Sequence, residues 1–66
     1  MKIETLRKLI TEEIKYTEVL DKEDYILFIY NIEDCNNMFD IIKLLNEFGW
    51  NNQSSIDIIN KVILTK

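Results

Sequence analysis

The stretch Tyr25–Ile32 reads Tyr-Ile-Leu-Phe-Ile-Tyr-Asn-Ile. It is the most apolar run in a chain of 66 residues and lies near its middle. Whatever covers this run sets the fold. Split by a period of two, Ile26, Phe28, Tyr30 and Ile32 fall on one face and Tyr25, Leu27, Ile29 and Asn31 on the other. Both faces are mainly apolar and the residues mostly β-branched or aromatic, which suits a strand sheltered on both sides. A buried helical segment shares that signature, because periodicity alone does not separate short apolar runs. The run sits between the charged Asp21-Lys22-Glu23-Asp24 and the polar Glu33-Asp34-Cys35-Asn36-Asn37, and its shortness favours the strand.

Upstream, Ile3, Leu6, Ile10 and Ile14 recur at helical spacing, with Leu9 beside them and Glu4 and Lys8 paired on the outer face. No good capping residue precedes this helix. From Ile14 onward, Tyr16, Glu18 and Leu20 alternate, which predicts a strand over about 15–20; the competing reading continues the helix through Tyr16 and Leu20. Joined by the four-residue turn 21–24, strands 15–20 and 25–32 make an antiparallel β-hairpin. Its outer edges then need covering.

Downstream, Asp34, Asn36 and Asn37 are all candidate caps for a helix over about 37–48. Its apolar stripe is Met38, Ile41, Ile42, Leu45 and Phe48, widened by Phe39 and Leu44. Gly49 stands where a helix ends in a left-handed residue, with Trp50 and Leu45 placed for the accompanying apolar contact. After the polar Asn51-Asn52-Gln53, Ser54 and Asp57 resemble a capping box for a last helix over about 55–64, with Ile58, Ile59, Val62 and Ile63 inward. The expected architecture is α+β in a single domain, 1–66: an N-terminal helix, a β-hairpin and two C-terminal helices. A small all-α bundle is the alternative.

A chain this short buries only about 60% of its unfolded surface. A single cysteine gives it no disulfide, and the absence of histidine gives it no Cys-His zinc site. Histidine is also the usual general base, so Cys35 has no partner for nucleophilic catalysis. Asp21, Glu23 and Asp24 fail the calcium-loop pattern, since Ile26 and Ile32 occupy its sixth and twelfth positions. These residues point to a protein that is not an enzyme and uses no cofactor or metal. A lone thiol fits a reducing cytoplasm. The amphipathic, charged N-terminus does not read as a signal peptide, and no apolar run approaches the roughly 20 residues that cross a bilayer. Abundant Ile, Lys, Asn and Glu with scarce Gly, Ala and Pro is the bias of an AT-rich genome, such as that of a low-GC bacterium or its phage.

The net charge of −4 is unevenly spread. Residues 1–11 carry +2 from Lys2, Arg7 and Lys8 against Glu4. Residues 12–34 carry −6, from Glu12, Glu13, Glu18, Asp21, Glu23, Asp24, Glu33 and Asp34 against Lys15 and Lys22. Residues 35–66 are balanced. The last two helices could imitate a helix-turn-helix, but a neutral helix pair lacks the phosphate attraction that supplies nonspecific affinity, so direct nucleic-acid binding is not expected. The eight acids are the candidate partner-binding residues, facing a basic protein whose approach they would steer. Tyr16, Tyr25 and Tyr30 lie in the same segment and could anchor it.

The layout resembles that of small acidic anti-CRISPR proteins from phages and prophages of low-GC Gram-positive bacteria, those that inhibit Cas9. The matching features are a short N-terminal amphipathic helix (Met1–Glu13), a β segment, a helix, and Phe48-Gly49-Trp50-Asn51 before a last helix. Such proteins imitate DNA by placing carboxylates in the site that reads the target's short flanking motif. This chain is shorter, has one strand fewer and lacks an acidic run after its Gly-Trp, so the acids of 12–34 would do the work. The resemblance implies an inhibitor of a basic, nucleic-acid-binding partner such as a CRISPR effector, acting in the host cytoplasm. The alternative is a structural or regulatory subunit of a bacterial assembly, forming a homodimer through the 25–32 strand edge.

Overall fold

The computed structural model describes residues 2–64. They form four helices: α1 (Ile3–Thr17), α2 (Lys22–Ile32), α3 (Met38–Glu47) and α4 (Asn52–Leu64). No strand occurs among the described residues. The architecture is the all-α bundle, and the expected α+β fold with a hairpin of 15–20 and 25–32 is corrected on both strands.

For 25–32 the reason lies in which residues are buried. Tyr25, Phe28, Ile29 and Ile32 stand at i, i+3, i+4 and i+7, one face of a helix. Phe28 and Ile32 are buried and Tyr25 and Ile29 half-buried. The opposite face is apolar too, and that masked the helical period. The start signal is Asp21, whose carboxylate accepts the backbone N–H of Asp24 at 2.8 Å. The presumed turn 21–24 is thus a helix cap and first turn, with Glu23 and Asp24 placed favourably at the positive end of the helix dipole.

For 15–20, α1 simply continues beyond Ile14 to Thr17, leaving Tyr16 on its exposed side. The Thr17 hydroxyl turns back onto the Ile14 carbonyl at 2.7 Å. The helix stops at Glu18, which takes the left-handed conformation (φ 54°, ψ 20°) and donates its N–H to the Lys15 carbonyl. At its other end, Lys2 contributes no side-chain cap.

Of the three candidate caps for α3, Asn37 serves: its side chain accepts the N–H of Asp40 at 2.9 Å, and the Asp40 carboxylate accepts the N–H of Asn36 at 3.2 Å. At the far end Gly49 has φ 108°. The Trp50 N–H bonds the Leu45 carbonyl at 3.0 Å and the Gly49 N–H the Asn46 carbonyl at 3.1 Å, which is a Schellman motif. The start of α4 is corrected: Asn51, not Ser54, is the cap, accepting the Ser54 N–H at 2.8 Å. The helix therefore opens at Asn52, and Ser55 is fully buried with its hydroxyl bonded to the Asn51 carbonyl at 2.9 Å.

Helix α1 packs on α2 and α4, and α3 packs on the same two, so the helices enclose one core. Ile10, Ile14, Phe28, Ile32, Ile41, Leu45 and Ile59 fill it, with the Phe28 and Phe48 rings edge to face at 5.5 Å. Two hydrogen bonds tie α2 and its exit to α1: Arg7 donates to the Cys35 carbonyl at 2.7 Å, and the Tyr25 hydroxyl to the Thr11 carbonyl at 3.3 Å. The strand edge at 25–32 does not exist, because a helix bonds its own backbone. The expectation of a homodimer through that edge falls with the strand.

Candidate protein-binding surface

The eight acids do not form one patch. Four surround the α1–α2 connection: Glu18 at the left-handed end of α1, Asp21 at the cap of α2, and Glu23 and Asp24 in its first turn. All four are exposed. Glu33 and Asp34 stand at the other end of α2, about 15 Å away along an 11-residue helix.

The four acids outside that corner have other neighbours. Glu13 pairs with Lys61 of α4 at 2.9 Å. Glu12 and Glu33 line an open groove between α1 and α2 that also holds Arg7 and Lys8. Asp34 shares a shallow hollow between α2 and α3 with Asp40, Glu47 and Lys43. Among the described residues, none of the acids predicted for binding other than Glu13 is ion-paired. The acidity therefore concentrates at the two ends of α2, and Lys22 is the cation of that helix.

Between those ends α2 turns a second apolar face outward. Ile26, Leu27 and Tyr30 are 44%, 52% and 73% exposed. Glu23 lies three and four residues before Ile26 and Leu27, on the same face, and Glu33 three residues after Tyr30. Asn31, at its border, is occupied: its amide donates to the Leu27 carbonyl at 2.8 Å. These apolar residues were missed as surface because a strand would have buried them. The signal that finds them is the Asp21-x-x-Asp24 cap followed by a 3.6-residue count. Of the three tyrosines, Tyr16 and Tyr30 are exposed, while Tyr25 is half-buried and anchored to α1. Beside Glu18, Val19 adds a further exposed apolar side chain.

Cys35 lies inside the core boundary, 5% exposed. Its thiol is pushed above the ordinary 9.0, first by burial and then by the Asp40 carboxylate, with Arg7 pulling the other way. Proximity to the start of α3 does not make it a nucleophile, because thiolate is the reactive form. No group of three or more acidic or cysteine side chains among the described residues is arranged to hold a metal ion. No helix among them is long and apolar enough to cross a membrane. Comparison with known proteins finds no matching family model, no similar curated protein and no similar solved structure.

Proposed function

We propose that this chain is a non-enzymatic binding module that presses an acidic surface onto a basic, nucleic-acid-handling protein and inhibits it. The observation that carries this reading is the group Glu18, Asp21, Glu23 and Asp24 at one exposed corner, without ion-pair partners among the described residues. Carboxylates held on a compact scaffold act as a surrogate for phosphates: they steer a basic groove toward themselves, and the attraction weakens as salt rises. The resemblance to small phage inhibitors of Cas9 contributes the mode of action. Its β segment corresponds here to α2, so the carboxylates would be presented from helix ends rather than from a hairpin. A CRISPR effector is the partner this reading implies, and the host cytoplasm the compartment.

The test is competition with DNA for such a basic protein at low and moderate salt. The protein with Glu18→Lys, Glu23→Lys and Asp24→Lys together should compete at least about tenfold more weakly, and the wild type should lose affinity as salt rises. Unchanged competition by the triple variant overturns the reading. A second reading, a structural or regulatory subunit of a larger assembly, draws on the exposed apolar face of α2.

A further inference from the structure

We infer that the outer face of α2 is a docking surface for a basic amphipathic helix of a partner protein. Ile26, Leu27 and Tyr30 supply its apolar contacts, and Glu23 and Glu33 pair with cations at either end. This deepens the reading of the chain as an acidic binding module and rests on it.

Three large apolar side chains stand out from the middle of an 11-residue helix whose other face already fills the core. An apolar strip rimmed by polar residues is the ordinary form of an interaction site. A helix laid along it would present its own apolar residues at i, i+3 or i+4, and i+7. Tyr30, the most exposed of the three, has an apolar ring and a polar tip, the type of side chain that serves as an interface anchor.

Charge selects the occupant. A second copy would meet this face by a two-fold axis, which brings the same patch to itself. With the helices antiparallel, Glu23 and Asp24 of one copy face Glu33 and Asp34 of the other. With them parallel, Glu23 faces Glu23 and Glu33 faces Glu33. Both arrangements set acid against acid at the ends of the strip, and Lys22 alone does not offset it. Anionic bilayer surfaces are repelled for the same reason. A helix with Leu- or Phe-like residues along one side and Lys or Arg at the flanks satisfies both the strip and its ends.

The experiment titrates the full chain into a fluorescently labelled synthetic peptide, an amphipathic helix of leucine and lysine, and reads anisotropy. Two controls accompany it: a scrambled peptide of the same composition and an amphipathic leucine–glutamate peptide. The amphipathic basic peptide should bind at least about tenfold tighter than either control. The double variant Leu27→Gln, Tyr30→Gln, which leaves the charge unchanged, should lose about tenfold or more. Glu23→Gln with Glu33→Gln should weaken binding and flatten its salt dependence, while Asp57→Asn, an exposed acid of α4 outside the proposed surface, should leave it within about twofold. Circular dichroism confirms that each variant keeps its helices.

Equal binding of the scrambled peptide, with the Leu27, Tyr30 variant unaffected, overturns the docking face but leaves the acidic module standing. Concentration-dependent dimerisation that the same variant abolishes gives the face to a second copy and overturns the inference. Failure of every basic peptide to bind overturns both.

Discussion

Among the described residues, two carry left-handed backbone, and they differ in an instructive way. Gly49 has φ 108°, where a side chain is strained although an added Cβ would meet nothing within 4 Å. Gly49→Ala should therefore destabilise by about 1 kcal/mol through conformation alone, a melting temperature lower by several degrees. Glu18 pays the same conformational penalty with a side chain in place at φ 54°. Glu18→Gly removes that strain but adds freedom to the unfolded chain, so a net gain of about 0.5 kcal/mol is expected. Thermal melts of the two variants should move in opposite directions; equal shifts would contradict the assigned helix ends. At Cys35 the sign follows from the raised thiol. Below the ordinary 9.0 the thiol is protonated folded and unfolded, so pH does nothing through this residue. As pH rises past that value the unfolded chain ionises first, and stability falls until the folded thiol also ionises. Melts from about pH 8 to 10 should show a decline that is shallower in Cys35→Ala.

At the scale of the element, legibility tracked local chemistry. Helix α3 was readable at both ends because Asn37, Gly49 and Trp50 fix them within a few residues. The stripe Leu6, Ile10 and Ile14 made α1 readable, although its C-terminal end was not: Tyr16 and Leu20 mimic alternation, and the stop is a left-handed glutamate instead of a glycine. Two caps compete at the head of α4, and Asn51 wins because it directly follows the closing turn of α3. Helix α2 misled for a physical reason. Apolar residues on both faces erase the 3.6-residue period, and β-branched and aromatic side chains favour a strand on local grounds. Tertiary packing of Phe28 and Ile32 decides otherwise. The acidity of the candidate site was plain from composition, but its apolar strip depends on the helix and so could not be read. Asp21 is the local anchor of that helix, and Asp21→Ala should cost about 1 kcal/mol by chemical denaturation.

At the scale of the whole molecule, a chain of 66 residues has only about 3–10 kcal/mol of stability to lose. Phe28 is wholly buried and stacked edge-on with Phe48, so Phe28→Ala should remove about 3–5 kcal/mol and leave the chain largely unfolded. Leu27→Gln and Tyr30→Gln, one residue before it and two after, should change stability by about 0.5 kcal/mol or less. Denaturation curves of the three variants separate a helix with one buried side from a strand covered on both. The same division of labour underlies the proposed docking, because the inner side of α2 holds the bundle together and leaves Ile26, Leu27 and Tyr30 exposed on the outer side. The most direct measurement is backbone amide NMR of the full chain titrated with the amphipathic leucine–lysine helix. Docking along α2 should shift Glu23, Ile26, Leu27, Tyr30 and Glu33 together while Ile10, Ile41 and Ile59 stay in place. Shifts centred on Glu12, Glu13 and the rest of α1, or no shift along α2, would contradict it.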